Sequence, residues 1–420
     1  MEINTGDVAF MLICTAFVFL MIPGLAFFYG GLVKKRHVLS IMMQSIAALG
    51  IVTVLWVVIG YSLAFGSDIG GVIGGLDFFA LKGVGLGVSE GSTIPALLFM
   101  IFQLMFAILT PALMTGATAE RLRFPAYVLL IAFWSILVYV PIAHWVWGGG
   151  WLSNLGALDF AGGTVVHISS GFSGLIAALV IGKRYNKKSD PTIPHNIPYV
   201  ILGGSLLWLG WFGFNAGSEL AADGIAVLAF VTTHIAASTG LLGWLVVEKL
   251  HHGKATVLGS ISGAVAGLVA ITPACAFVSP MAAILIGFIS GSLCYFTVAI
   301  LKEKLGYDDA LDAFGIHGIG GTWGAIATGL FATTAVNSGG ADGLFYGGGF
   351  TQVGIQSIAV LATYAYAGIV TFIILKVVAR ITPLTASDEE QELGLDSSQH
   401  GESAYPDFEG LTSGISGFHI

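Results

Sequence analysis

Residues 309–328 read DALDAFGIHGIGGTWGAIAT, and residues 159–178 read DFAGGTVVHISSGFSGLIAA. The two stretches align at a constant offset of 150 residues, with a histidine eight residues after the first aspartate in each. The matched positions include Asp159 with Asp309, His167 with His317, Gly171 with Gly321, and Gly174 with Gly324. A repeat of this kind indicates a chain built from two similar halves.

The repeat lies in a strongly apolar chain. Of 420 residues, 56% are hydrophobic and 10% are charged, and the mean hydropathy is +0.89. A soluble protein carries about 25% charged residues, so this composition indicates an all-α integral membrane protein. Charge and Gly/Pro clusters divide the chain into eleven predicted transmembrane helices, at 8–33, 38–65, 94–117, 125–146, 164–182, 197–216, 224–247, 255–274, 280–301, 310–332 and 350–379.

The basic residues predict the orientation of these spans. Fifteen of the 16 Lys and Arg residues fall in alternate loops or at the end of the last span, and only Lys82 falls on the other side. The fifteen are Lys34, Lys35, Arg36, Arg121, Arg123, Lys183, Arg184, Lys187, Lys188, Lys249, Lys254, Lys302, Lys304, Lys376 and Arg380. Basic loops remain in the cytoplasm, which predicts a multi-pass protein of the cell (inner or plasma) membrane with its N-terminus outside.

The number of spans before each copy of the repeat predicts how the two copies are oriented in the membrane. Five spans precede and include the first copy, so the second copy crosses the membrane in the opposite direction. This pattern is typical of inverted-topology repeats, which place their site near the midplane between the halves. We therefore expect His167 and His317 to approach each other, with glycines four and seven residues later on the same helix faces allowing close packing.

Two kinds of residue in the repeat have different expected roles. Ionisable groups inside a membrane are functional candidates, and the repeat-related His167 and His317 are the strongest here. Asp159 and Asp309 each precede a helix, where a carboxylate accepts hydrogen bonds from free N–H groups, so we expect them to support the site structurally. His144 and His234 are expected to be structural, and His37, His195, His251 and His252 to be solvated in cytoplasmic loops.

The C-terminal segment differs from the rest of the chain. The sequence divides into a transmembrane domain, 1–380, and an acidic cytoplasmic tail, 381–420, which contains eight acids and no Lys or Arg. By composition alone such a charge run is a disordered, solvated segment.

Several long motifs carry a resemblance to a known family. They are PGLAFFYGGLV at 23–33, FQLMF at 102–106, GATAERLRF at 116–124, WGGGWL at 147–152, GGSLLWLGWFGFNAGS at 203–218, the repeat copy at 309–324, and LGLDSSQHGESAY in the tail. Together they resemble the ammonium transporter family (Amt/Mep, with the Rh proteins as relatives) over nearly the whole chain. The resemblance implies two five-span halves, a final long helix and a homotrimer with one pore per subunit.

The resemblance also implies roles for single residues. Phe102, Phe106, Trp147 and Ser218 match the outer ammonium-binding site, and Phe106 with Phe214 match a phenyl gate beneath it. His167 and His317 match the pair that lines the pore. The implied function is selective transport of ammonium or ammonia, with deprotonation near the gate, no cofactor, no metal, no enzymatic activity and no nucleic acid.

The implied selectivity has a physical basis. Aromatic faces attract a cation by about 0.5–2 kcal/mol, and the Ser218 oxygen can accept a hydrogen bond that ammonium donates and potassium cannot. A charge at the bilayer centre costs about 2.5–3.5 kcal/mol or more, which ammonium avoids by losing a proton. The resemblance also implies that the tail packs on the inner loops of a neighbouring subunit. A PII-type (GlnK-like) protein is an implied partner as well.

Three alternatives remain open at this stage. Two midplane histidines could be the axial ligands of a haem in a membrane redox protein. A sensor of ammonium could use the same fold, although no kinase or cyclase sequence follows the last span. A neutral gas channel like the Rh proteins is the closest rival, and the Trp147 and Ser218 matches favour the Amt branch.

Overall fold

The computed structural model describes residues 2–88, 91–185, 187 and 193–405. Within these residues the chain forms eleven helical spans, numbered here in chain order. Spans 1 to 5 are Thr5–Leu32, Lys35–Phe65, Ala96–Thr118, residues 124–147 and Gly163–Ile181. Spans 6 to 11 are Ile197–Glu219, Gly224–His252, Val257–Ile271, Pro280–Leu305, residues 314–331 and Thr351–Ile381.

The predicted all-α membrane fold is confirmed. Among the described residues, nine helices are long and apolar enough to cross a membrane, and spans 8 and 10 are shorter. Most boundaries agree with the prediction within a few residues. Span 7 ends at His252 and not at residue 247, and span 10 begins at Phe314 and not at residue 310. Asp309 to Ala313 instead form the turn that leads into the helix.

The packing of the spans follows the inverted repeat. Span 1 lies along span 6, which is its counterpart in the second half. Within each half the second span packs on the fourth and the third packs on the fifth, as spans 3 with 5 and 8 with 10 illustrate. Span 11 lies outside this pattern and packs on spans 5 and 10. The five-plus-five arrangement with a final long helix is therefore present.

Spans 5 and 10 cross at the predicted glycines. A Cβ atom on Gly171 would lie 2.3 Å from the Gly318 nitrogen, and one on Gly321 would lie 3.0 Å from the His167 Cβ. The later glycines contact other spans, because Gly174 faces Ala117 of span 3 and Gly324 faces Ala270 of span 8. These contacts leave no room for a side chain, so the glycines bring both histidines to the crossing.

The two crossing spans also begin in the same unusual way. Residues Gly163–Ile168 and Phe314–Gly318 are π-helical, so both histidines lie in wide first turns. A π turn inserts an extra residue and commonly marks a functional position. The wide turn re-aims each imidazole, which a regular α-helical reading of the sequence does not predict.

The connections between spans gather at two ends of the bundle. One end, predicted to be outside, carries a short antiparallel hairpin of Asp68–Ile69 and Ile73–Gly74 and a short helix, Trp151–Leu155. Its 3₁₀ turns are Phe79–Leu81 and Leu344–Tyr346. At the opposite end the basic loops meet, since Arg121 Nε donates to the Gly182 carbonyl at 2.9 Å and its Nη2 donates to the Asp308 carbonyl at 2.6 Å.

The C-terminal segment folds onto this opposite end. The Arg123 N–H donates to the Leu384 carbonyl at 2.9 Å, and the Ala386 N–H donates to the Arg121 carbonyl at 2.8 Å. A helix, Asp388–Leu393, follows and begins with a capping box on Ser387. The expectation of a solvated, disordered tail is therefore wrong for residues 382–405, and these contacts are with loops of the same chain. Residues 406–420 lie outside the described residues.

The tail changes the surroundings of two histidines. The Asp396 carboxylate accepts the Leu39 and Ser40 N–H groups at 3.0 and 2.7 Å, which caps the start of span 2. His37 is buried and accepts the Leu395 N–H at Nδ1, 3.1 Å away. His195 is partly buried, and its Nε2 lies 3.0 Å from the Tyr405 hydroxyl. The expectation that His37 and His195 are solvated was wrong, because the tail covers them.

We expect Asp396→Asn to loosen the tail without unfolding the bundle. An amide offers one oxygen where the carboxylate offers two, so docking weakens by about 1–2 kcal/mol. Hydrogen exchange of the amides in 388–400 is expected to rise about tenfold.

The matched control for this variant is Glu392→Gln, which removes the same charge from an exposed position of the tail helix. Equal exchange in the two variants would show that the cap does not hold the tail.

Candidate functional site

A cavity of about 310 Å³ opens at the predicted outer end, and Phe106, Trp147 and Ser218 line it. The Trp147 indole stands edge-on to Phe106, with ring centroids 5.8 Å apart. The Ser218 hydroxyl donates to the Phe214 carbonyl at 2.8 Å, so its lone pairs remain available to accept a hydrogen bond. An aromatic wall and one directed acceptor therefore face the same space.

The cavity ends on a close pair of phenyl rings that are tilted against each other by 34°. The centroids of Phe106 and Phe214 are 4.2 Å apart and both side chains are fully buried. Phe102 lies against Phe106 with centroids 5.0 Å apart, and it contacts Gly217. Phe102 is not among the residues that line the cavity, so its direct contact with a bound cation stays a prediction.

The rings continue to the histidine pair in the middle of the bundle. His167 stacks on Phe214 and on Trp211, with centroid distances of 6.0 and 5.3 Å. The Nδ1 atoms of His167 and His317 are 3.3 Å apart, and both residues are buried. The structure thus brings together the residues predicted separately for the outer site, the gate and the pore.

A threonine fixes the protons of this pair. The Thr272 hydroxyl donates to the Leu268 carbonyl at 2.8 Å, so its oxygen can only accept from His167 Nε2, 3.3 Å away. His167 therefore carries its proton on Nε2 and accepts at Nδ1, because a neutral imidazole has one donor and one acceptor. His317 must donate from Nδ1, which leaves its Nε2 as an acceptor.

The same contact bears on the haem alternative. A bis-histidine haem needs its porphyrin between the two ligand rings. The His167 and His317 rings instead stack with centroids 5.3 Å apart, and their Nδ1 atoms are within hydrogen-bonding distance. The space next to His317 is narrow and mostly apolar, lined by residues such as Leu25, Leu109 and Val265. This geometry does not fit a haem between the rings.

Asp159 ties the outer cavity to the start of span 5. Its buried carboxylate accepts the N–H groups of Gly162, Gly163 and Thr164 at 2.8, 2.6 and 2.7 Å, and also the Thr164 hydroxyl. Its carbonyl accepts the Trp147 indole N–H at 2.9 Å. One residue therefore holds both the helix that carries His167 and a wall of the cavity.

Asp309 has the equivalent position in the second half. Its carboxylate accepts the Ala313 and Phe314 N–H groups at 3.0 and 2.8 Å. Lys302 donates to the Asp309 carbonyl at 3.2 Å and also contacts Asp312. Both aspartates thus start the helices of the pair, and neither carboxylate contacts an imidazole.

The sequence analysis missed three residues of the site. Trp211 precedes Phe214 by three positions, which places both on one face of span 6, and this spacing could have identified it. Thr272 follows the end of span 8 and has no local signal, because its role depends on a contact across 105 residues of sequence. The amide of Gln103 also lines the outer cavity.

The predicted inner end carries a second, larger opening. A cavity of about 500 Å³ is lined by charged side chains that include Lys183, Arg184, Lys187 and Lys302. Arg184 forms ion pairs with Glu120 and Asp308 at 3.2 and 2.8 Å. Burial alone would raise the pKa of Asp308, but the hydrogen bonds and charge of Arg184 lower it below its usual value.

Two inverted halves, with a series of rings that leads from the outer cavity to a histidine pair at their interface, define a membrane transport protein. The family comparison identifies which kind. A profile of the Ammonium Transporter Family matches residues 9–405, and the chain belongs to this family.

Individual relatives agree with this assignment. The ammonium transporter of Bacillus subtilis (strain 168) is 57% identical over 403 residues, which cover 96% of this chain and 99% of the relative. That of Aquifex aeolicus (strain VF5) is 50% identical over 406 residues, covering 96% and 94% of the two chains. The resemblance found in the sequence motifs is confirmed.

Solved structures share the fold. The crystal structure of Mep2 from Candida albicans is 37% identical, has a TM-score of 0.87, and covers 96% of this chain and 91% of that chain. A sensor Amt protein is 28% identical, with a TM-score of 0.86 and coverage of 94% and 98%.

Proposed function

We propose that this protein moves ammonium across the membrane by binding the cation outside, removing a proton near the gate and passing ammonia along the histidine pair. The observation that carries this proposal is the unbroken series of rings from Trp147 through Phe106, Phe214 and His167 to His317. The relatives at 50% and 57% identity are named ammonium transporters, which favours transport over a sensor role.

The outer cavity suits a desolvated ammonium ion. The faces of Phe106 and Trp147 attract a cation by about 0.5–2 kcal/mol, and Ser218 adds a directed acceptor. Potassium is attracted by the aromatic rings, but it cannot donate a hydrogen bond to Ser218. The cavity therefore prefers a cation that donates hydrogen bonds.

The gate and the apolar lumen disfavour passage of the charged form, ammonium. With Phe106 and Phe214 centroids 4.2 Å apart, the path is closed until a ring moves. A charge in the space beyond it costs about 2.5–3.5 kcal/mol or more, which favours the neutral species. Ammonium then gives its proton to the free acceptor nitrogen of the histidine pair, His317 Nε2, and ammonia enters the lumen. The His317 Nε2 acceptor can bond an ammonia N–H, and the Nδ1–H···Nδ1 contact offers the proton a route between the rings.

The loops and the tail around the pore bear on the orientation, assembly and partners of the protein. The basic loops favour an orientation with the N-terminus outside and the tail in the cytoplasm, in a cell membrane where the protein would serve nitrogen uptake. A homotrimer follows the family pattern. The positive groups at the inner cavity and the acidic tail beside it form a surface of mixed charge that fits a PII-type regulator.

Transport is tested by solid-supported membrane electrophysiology on proteoliposomes. We expect a current after an ammonium pulse and none after a potassium pulse, and the current reports that the proton crosses together with ammonia. Ammonium uptake without current would indicate passage of ammonia alone. Equal currents for the two cations would contradict the proposed selectivity.

We expect Ser218→Ala to weaken ammonium binding while the gate and histidines continue to work. Loss of one hydrogen bond to a cation raises the KM for ammonium by about tenfold and leaves the maximal current nearly unchanged. Concentration series of ammonium currents measure both quantities.

Ser238→Ala is the matched control, because Ser238 also donates to the carbonyl four residues earlier, at 2.9 Å, but lies on span 7 and does not line the outer cavity. If Ser218→Ala keeps the wild-type KM, the serine is not part of the binding site.

A further inference from the structure

A fully buried histidine lies close to the outer cavity and is not used in the proposed mechanism. His144 is in the last turn of span 4, three residues before Trp147, and its side chain has no solvent exposure. Its Nδ1 is 2.9 Å from the Ala64 carbonyl oxygen, and its Nε2 is 2.8 Å from Oδ1 of Asp68. Both ring nitrogens therefore face oxygen atoms.

Both of these oxygens are acceptors. A backbone carbonyl cannot donate a hydrogen bond, and the Asp68 carboxylate receives the Gly71 N–H at 2.9 and 3.0 Å from its two oxygens. The hydrogen bond from His144 lowers the pKa of Asp68, so this carboxyl group is ionised at neutral pH. A neutral imidazole has only one N–H. The geometry is satisfied only when His144 carries both protons and a positive charge.

The backbone of His144 holds the turn that follows Trp147, and its ring packs against the same turn. The His144 carbonyl accepts the N–H groups of Gly148 and Gly150, each at 3.0 Å. A Cβ atom on Gly148 would lie 2.6 Å from His144 Nδ1 and 2.1 Å from the Ala64 oxygen. The imidazole, the end of span 2 and this turn are therefore in direct contact, so a change at the ring reaches Trp147.

The hairpin that carries Asp68 is fastened on both sides of Trp147. The Trp145 indole N–H donates to the Val72 carbonyl at 2.9 Å, and the Trp151 N–H donates to the Gly71 carbonyl at 2.9 Å. The charge pair between His144 and Asp68 is the third attachment between the hairpin and this part of the chain. It is also the one that depends on a titratable group.

We propose that His144, charged and held by Asp68, is a positioning residue that keeps Trp147 in the wall of the outer cavity, and that its protonation makes ammonium binding depend on pH. This inference rests on the proposed function. Among the described residues, Asp68 is the charged group in contact with the ring. Asp77, the next acid of the same connection, accepts the Ser67 N–H at 2.8 Å.

The direction of the pH effect follows from the hydrogen bonds. When pH rises and the ring loses a proton, one nitrogen lone pair faces an acceptor oxygen, and that attachment is lost. Trp147 is then held less firmly, so the KM for ammonium rises. The gate and the histidine pair are unchanged, so the maximal current stays the same.

The variant Asp68→Asn removes the negative charge at position 68 and keeps the shape of the side chain. An asparagine amide can donate to the unprotonated Nε2, so the contact persists without the second ring proton. With the NH₄⁺ concentration itself held constant, we expect the wild-type KM to rise about threefold from acidic to alkaline pH. The KM of Asp68→Asn is expected to stay level, while Asp77→Asn follows the wild type.

A second measurement reports directly how many protons the His144 ring carries. Nitrogen NMR of histidine-labelled protein, with the His144 signal assigned by its loss in His144→Gln, is expected to show two protonated nitrogens in the wild type near pH 6 and one in Asp68→Asn. A neutral wild-type ring at that pH, or the same pH dependence of KM in both proteins, would overturn the proposal. An absence of ammonium current in the wild type contradicts the transport function instead, and the NMR result still decides the state of His144.

Discussion

Replacing both His167 and His317 with alanine is expected to remove selective ammonium transport. The double variant loses the donor and the acceptor that pair the two rings, together with the acceptor nitrogen that faces the lumen. Each lost hydrogen-bonding group costs about 1–3 kcal/mol, so ammonium-driven current should fall about 100-fold or more. The space vacated by two buried rings can also admit water and let potassium pass, which the same recordings detect.

The control for this pair is His234→Ala. His234 lies in span 7 against Trp208, with ring centroids 5.5 Å apart, and is exposed on the outside of the bundle. We expect this variant to transport like the wild type. Size-exclusion profiles of all variants show whether assembly is intact. Selective currents of wild-type size in the double variant would refute the role given to the histidines.

The second large effect is expected from Asp159→Ala. This change leaves three buried N–H groups at the start of span 5 without an acceptor, at about 1–3 kcal/mol each. The total is comparable to the whole stability of many proteins, about 5–15 kcal/mol. We expect a sharply lower melting temperature in detergent and loss of transport, because both the His167 helix and the Trp147 carbonyl contact are released.

Asp223→Ala gives a matched comparison for Asp159→Ala. Asp223 also caps a helix, accepting the Ile225 and Ala226 N–H groups at 2.9 and 3.1 Å, but it is exposed to solvent. Loss of an exposed cap costs about 1 kcal/mol, since water replaces the lost acceptor. Equal losses of stability in the two variants would show that the burial of Asp159 is not what makes it important.

The features that follow from periodicity and repetition could be predicted from the sequence. The offset between His167 and His317 predicts their approach, because an inverted repeat places equivalent residues about one axis. The glycines that follow them predict the crossing of spans 5 and 10 for a similar reason, since a helix without side chains on one face allows its neighbour to approach.

Features that depend on distant contacts could not be predicted in this way. No local sequence pattern distinguishes the π turns at both histidines from α-helix. The burial of His37 requires Asp396 and Leu395 to reach the start of span 2 from more than 350 residues away in sequence. The composition of the tail predicts a solvated segment. Specific hydrogen bonds instead hold residues 382–405 in a folded conformation.

The contact between two Nδ1 atoms has a further consequence. Chemically identical atoms related by a pseudo-twofold axis cannot both donate, so one proton makes the two halves inequivalent. The Thr272 hydroxyl, which contacts only the first of the two rings, decides which way that proton points. A valine at position 272 would make the two tautomeric arrangements nearly degenerate. The polarity of the proton route is thus encoded in one hydroxyl group and not in the repeat itself.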